Sequence, residues 1–176
     1  MLQQVGSAYS IYDQGMNPED TVLSSSVRKE LGFIRFYECE AGPGTMDVFI
    51  PMVSQAGIPT TFQPAKPEET IMHKVDEGDT GKLFRLKTKH PEYDEKQQTS
   101  VLYFGGRVTK RSTKNFQLRW EDQNEILLQF GRRDERDEFI MDYKYPLSAF
   151  QAFCIVLTAL DPKVMDARGY KNVKKL

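Results

Sequence analysis

Six cations stand in two groups whose spacing suits contact with an anionic surface. In the alternating segment Phe84-Arg85-Leu86-Lys87-Thr88-Lys89, a strand would put Arg85, Lys87 and Lys89 on one face, about 6.6 to 6.8 Å apart at a rise of ~3.3 to 3.4 Å per residue. The second group, Lys110, Arg111 and Lys114 with Arg107 nearby, is denser in charge. A Lys or Arg close to an anionic lipid surface contributes about 1 kcal/mol. Each group also has a plain alternative. The first is a solvated strand face of ordinary charges, and in the second Arg107 and Lys114 serve structural pairing. Arg132-Arg133 is followed by Asp134, Glu135, Asp137 and Glu138 and reads as a neutralised turn.

Other chemistry lacks its residues. The two histidines, His73 and His90, form no His-x-x-x-His motif and there is no Cys-x-x-Cys, so no metal site is expected. The carboxylates at 134, 135, 137 and 138 are nearly consecutive, whereas acid/base catalysis wants two held apart in a cleft with separated pKa values. Gly105-Gly106 lacks the following Lys-Ser/Thr of a phosphate loop and reads instead as relief of crowding in a strand or a bulge. Cys154 lies in an apolar run that would raise its pKa, which makes it a poor nucleophile. Phe116 and the single Trp120 do not make a base-stacking platform. The expectation is a protein without catalytic residues, metal or cofactor.

The chain has 176 residues, 24 Lys+Arg against 25 Asp+Glu, and a net charge of -1, the arithmetic of one ordinary globular domain. So even a balance argues against nucleic-acid binding driven by a basic surface, and any anion site must be local. Cys39 and Cys154 lie far apart and read as buried thiols in a reducing compartment. The opening MLQQVGSAYS has neither a basic nor an apolar leader region, and cytoplasmic residence is the expectation.

The elements that would position these residues are mostly strands. Runs at 8–12, 33–39, 46–53, 71–75, 83–87, 100–109, 115–120, 126–130 and 138–143 make about nine, bounded by Gly, Pro, Asn or Ser. Residues 23–31, with Ser24 to Ser26 as possible caps, are assigned to a short helix. The proline-bearing stretch 54–69 is an extended loop and 88–99 a polar, mobile one. The run from Leu147 to Leu160 is about 14 residues or ~21 Å as a helix, short of the ~20 residues that span a bilayer. Ser148 caps its start and Asp161-Pro162 ends it. Only Ser148, Gln151 and Thr158 are polar, so the helix has no solvent face and must be enclosed. Strands followed by one wholly apolar helix imply an all-β barrel threaded by that helix.

The segment FGGRVTKRSTKNFQ, Phe104 to Gln117, resembles the signature of the tubby-like family, an Arg-Val-Thr strand leading into Lys-Asn-Phe-Gln. LLQFGR (127–132), FIMDYKYPLSAFQAF (139–153) and YDQGMNP (12–18) follow the same family's order, with RKEL (28–31), VFIP (48–51) and PEET (67–70) between them. The resemblance covers about Gly6 to Lys163, with the residues from 164 onward left as a basic tail. It implies a barrel of about twelve strands around the helix. It also implies a non-enzymatic adaptor that binds phosphoinositides, chiefly the 4,5-bisphosphate, at the cytoplasmic face of the plasma or ciliary membrane and carries receptors into cilia. The family's head-group pocket lies mainly in Lys and Arg upstream of the YDQGMNP-like element, so none of its principal residues is carried over to this chain. The signature also departs from the family at Gly105 and at Arg111-Ser112-Thr113, where Ala-Ser-Val is usual.

About nine strands fall short of about twelve, so unpaired edges and an exposed side of the apolar helix are expected. A protein partner or a missing N-terminal segment would cover them. From the residues alone, the alternative to lipid contact is a module that recruits a partner strand along such an edge. Contact with an anionic phosphoinositide surface falls, on this reading, to Arg85, Lys87, Lys89, Lys110, Arg111 and Lys114.

Overall fold

The computed structural model describes residues 2–5, 8–37, 45–96, 98–121, 123, 125–134 and 138–161. Cys39, Glu135, Asp137 and the basic tail lie outside them. Two compact units result: Met1–Tyr37 with Met46–Arg85, and Glu38–Thr45 with Leu86–Leu176.

The first unit carries β1 (Leu2–Val5), β2 (Ala8–Tyr12), β3 (Glu30–Tyr37), β4 (Thr45–Pro51) and the start of β5 (Leu83–Thr88), hydrogen-bonded in that order. Its core gathers Ala8, Phe33, Phe49, Phe62, Ile71 and Leu83. Phe33 and Phe49 stack with ring centroids 6.3 Å apart, a pairing worth about 0.5 to 1.5 kcal/mol beyond burial. The expected strand at 71–75 is instead the helix α1 (Ile71–Asp76), capped by Thr70, whose Oγ1 accepts from His73 N at 3.3 Å. The spacing explains it. Ile71 and Val75, four residues apart, share one helical face and both reach the core, whereas in a strand His73 would lie on their side. The short helix expected at 23–31 is also absent: only a 3-10 turn at Ser24–Ser26 forms, and β3 has begun by Glu30. Between them the main chain is engaged sideways, Arg28 N donating to Met16 O at 2.8 Å while Ser26 O accepts from Met16 N at 2.8 Å.

In the second unit the end of β5 is followed by β8 (Phe116–Trp120), β9 (Ile126–Arg132) and β10 (Phe139–Tyr143), all antiparallel. The polar stretch 88–99 forms a small hairpin, β6 (Glu92–Asp94) with β7 (Thr99–Val101). The strand expected over 100–109 stops at Val101. Gly105 and Gly106 sit at φ +59° and +74° in a turn closed by Arg107 N donating to Phe104 O, not in a strand or bulge. The loop then docks on β9, where Thr109 N and Lys110 N both donate to Arg132 O.

The signature residues prove to be a polar ladder. Gln117 on β8 donates through Nε2 to Gln129 Oε1 on β9 at 3.1 Å, and Gln129 Nε2 donates to Asp142 Oδ2 on β10 at 2.8 Å. Arg107 closes the row with Nη2 to Asp142 Oδ1 at 2.7 Å.

The long helix α2 (Ala149–Leu160) keeps the expected boundaries. Ser148 Oγ accepts from Gln151 N, and Gln151 Oε1 accepts from Ser148 N at 2.9 Å, a reciprocal cap. Its enclosure is incomplete. Ala152, Cys154, Ile155, Val156, Thr158 and Ala159 are buried, but Phe150, Phe153 and Leu157 remain 45%, 53% and 42% exposed along one stripe. The absence of any solvent face is therefore corrected, and the exposed side expected from a shortage of strands is present. The strand-rich class with one apolar helix is borne out.

Asp142 is held below the ordinary aspartate range by its hydrogen bonds from Arg107 and Gln129. A depressed carboxylate adds stability above its unfolded-state pKa and loses it as pH falls through the folded one. Acid titration of unfolding should therefore show a loss below about pH 4 that Asp142→Asn lacks. Gln129→Leu strips Gln117 and Asp142 of a partner together and should cost about 1 to 2 kcal/mol in denaturant unfolding.

Candidate functional site

In the first unit three sequence segments meet around one arginine. Asp13 Oδ1 accepts from Gly15 N and from Lys29 N, both at 2.9 Å, and Asp13 N donates to Lys29 O at 3.0 Å. This ties residues 13–16 to 26–29. Gly15 comes so close that a Cβ there would lie 2.4 Å from Arg28 Cα and 2.7 Å from Arg28 N. The backbone of Arg28 is thereby fixed, and its guanidinium lies over the Tyr12 ring, 4.0 Å from the centroid. Such a cation–π contact is worth about 0.5 to 2 kcal/mol depending on desolvation.

The strap after β4 supplies the opposite wall. Gln63 Nε2 donates to Val27 O at 2.5 Å and to Ser24 O at 3.1 Å. Glu69 Oε2 accepts from Ala65 N at 2.8 Å and Lys66 N at 3.3 Å, which shapes the Pro-rich turn that presents Lys66. Between the walls is a cavity of about 340 Å³ lined by Ser10, Tyr12, Glu19, Arg28, Lys66 and Met72, among others.

Behind this groove is a carboxylate taken wholly out of water. Glu30 is 1% exposed. Ser10 Oγ donates to its Oε1 at 2.9 Å and Ile71 N to its Oε2 at 2.7 Å. Burial pushes its pKa up, against the opposing pull of those two hydrogen bonds and of Arg28. Burial also raises the Tyr12 hydroxyl, with the Glu30 charge adding to it. Two cations, Arg28 and Lys66, above an aromatic floor suit a compact anion such as a phosphate group, while the lining also includes the Glu19 carboxylate and the Ser10 and Thr70 hydroxyls already donate to Glu30 and to Pro67 O. Among the described residues, no cluster of three or more His, Cys, Asp or Glu is arranged to hold a metal ion.

The cations singled out from sequence are placed differently. Arg85 donates to Asp47 at 2.6 Å with its guanidinium 5.5 Å from the Phe49 ring centroid, Lys87 pairs with Glu121, and Lys89 pairs with Glu92 at 2.9 Å. A carboxylate thus answers each member of the first group. In the second group Lys110 and Arg111 are exposed on the loop that docks on β9, and Lys114 lies 5.6 Å from the Phe139 ring centroid. Arg107 pairs with Asp142. Cys154 is buried in α2, and burial pushes its thiol up.

Sequence reasoning missed Arg28 and Lys66. The motifs YDQGMNP, RKEL and PEET contain or flank every segment of the groove, yet no spacing along the chain shows that they converge.

A family model described as the Tub family matches residues 2–162. The chain is 39% identical to tubby protein homolog 1 of Caenorhabditis briggsae over 170 residues, 91% of this chain and 40% of that protein. It is 36% identical to tubby-related protein 3 of Mus musculus, covering 91% of this chain and 36% of the relative. With tubby-related protein 1 of Homo sapiens the identity is 34%, covering 91% and 30%. The chain thus spans well under half the length of these curated relatives.

Gly15→Ala tests how the groove is built. A methyl group at 2.4 Å from Arg28 Cα must push two backbone segments apart. We expect a loss of about 1 to 3 kcal/mol in thermal unfolding and, in heteronuclear NMR, shifts concentrated in residues 12–16 and 26–30.

Proposed function

The chain belongs to the Tub family, and on that footing we propose that it is a non-enzymatic membrane adaptor whose first unit takes a phosphoinositide head group in the groove of Arg28 and Lys66. One observation carries this reading. Three family-like motifs, far apart in sequence, surround one cavity whose charged walls include two cations. Lys110, Arg111 and Lys114 add a second contact with the anionic surface. Arg85, Lys87 and Lys89 contribute less, because each already faces a carboxylate. The protein then works as a peripheral component on the inner face of the plasma or ciliary membrane, with transport of ciliary receptors as its role. No helix among the described residues is long and apolar enough to cross a membrane, in keeping with peripheral attachment.

Vesicle flotation tests it. Phosphatidylcholine vesicles carrying phosphatidylinositol 4,5-bisphosphate are compared with vesicles of equal total charge made with phosphatidylserine. Arg28→Ala with Lys66→Ala should weaken binding to the bisphosphate vesicles by roughly tenfold to thirtyfold, at about 1 kcal/mol per cation, and erase the preference between the two vesicle types. Changing Lys110, Arg111 and Lys114 to Ala should weaken both alike and reduce the salt dependence. Undiminished binding by the Arg28/Lys66 variant overturns the assignment.

A second reading, a module that pairs with a partner strand without lipid, draws on the stripe Phe150, Phe153 and Leu157 and on the end position of β10 in its strand order. On this reading the purified chain should bind an apolar-surface dye and elute from gel filtration as more than one species. A single monomeric peak with no dye response counts against it.

A further inference from the structure

Glu30 has no place in the reading above, yet it is the most enclosed charge among the described residues, 1% exposed. It is the ladder partner of Tyr12, which lines the groove, and it shares Ser10 with it: the hydroxyl that donates to Glu30 Oε1 belongs to a residue lining the cavity. From β2 it also meets Tyr12, whose ring carries the Arg28 guanidinium. From the approach to its own strand it feels Arg28 electrostatically. From α1 it receives only the main-chain Ile71 N–H. The ionisable side chains of α1 are engaged elsewhere, Lys74 with Asp79 and Asp76 with Arg35, while His73 is exposed.

We propose that Glu30 is the positioning residue and internal counter-charge of the groove: ionised, it competes with the bound anion for Arg28, and protonated, it releases that charge to the ligand. This rests on the head-group reading and deepens it. The Arg28 main chain is clamped by Asp13 and Gly15 and its guanidinium rests on the ring of Tyr12, the ladder partner of Glu30, so the competition is electrostatic. Binding should therefore tighten as pH falls. Burial favours the neutral acid, which moves that transition above the ordinary glutamate range.

Glu30→Gln is the test variant, since the amide can accept from Ile71 N through its oxygen and donate to Ser10 Oγ through its nitrogen. With vesicles carrying phosphatidylinositol 4,5-bisphosphate, Glu30→Gln should bind about three- to tenfold tighter than the unsubstituted chain near neutral pH. That ratio should close toward one as pH falls; being a ratio on the same vesicles, it cancels the titration of the lipid itself. In the Arg28→Ala background the gain should vanish. Ser10→Ala removes a donor that favours the ionised carboxylate, so the pH at which the unsubstituted chain tightens should move upward. This second readout stands if Glu30→Gln does not fold.

If the unsubstituted chain fails to bind at any pH, the head-group reading falls and this proposal with it. If it binds but Glu30→Gln matches it throughout, or the gain survives Arg28→Ala, the head-group reading stands and Glu30 has no such role. The same holds if Glu30→Gln does not fold and Ser10→Ala leaves the pH of tightening where it was.

Discussion

A carboxylate removed from water must be answered on every side, and the answers given to Glu30 organise the first unit. Its two oxygens take one donor from β2 and one from the first turn of α1. Its own backbone N–H goes to Phe62 O at 2.8 Å, which fixes the strap. One buried side chain thus joins a strand, a helix and a loop. Leaving such a group unpaired would cost several kcal/mol. The apolar cluster around Phe33, Phe49 and Ile71 supplies the bulk of the burial. The carboxylate supplies direction, since hydrogen bonds specify geometry as dispersion does not.

The groove follows from the same arrangement. Tyr12 is the last residue of β2, Arg28 lies just before β3, and Thr70 caps α1. Segments that meet Glu30 behind the wall present their other side chains in front of it. The charges of the second unit are arranged otherwise. Its loop after Gly106 is held by main-chain bonds to the end of β9, which leaves Lys110 and Arg111 outward. The first unit offers a walled groove and the second an open cationic surface.

Sequence disclosed α2 well because its boundaries are local chemistry: a serine cap, a reciprocal glutamine and an Asp-Pro stop. Most strands were legible for the same reason, turn residues bounding apolar runs. Two misassignments came from short apolar runs, where period is ambiguous. Residues 71–75 are too few to fix a period, and the shared burial of Ile71 and Val75, four residues apart, decides for a helix. At 102–109 the residues favour a strand, but the positive φ of Gly105 and Gly106 turns the chain away. The helix face at Phe150, Phe153 and Leu157 was misjudged because apolarity sets what a helix prefers, while the number of strands sets what it obtains. Arg28 and Lys66 went unseen because the clamp that places one of them depends on the missing side chain of Gly15, and nothing along the chain announces that contact.

The ladder from Gln117 through Gln129 to Asp142 also bears on how the second unit finds its strand alignment. On β8 Phe116 and Leu118 share one face and Gln117 the other, and on β9 Leu128 and Phe130 share the face opposite Gln129. Sliding one strand by a residue would invert every side chain, which this alternation already opposes. Two amides locked face to face forbid it. A slipped pairing would set each against a hydrocarbon neighbour, so the glutamines act as a key cut for a single notch.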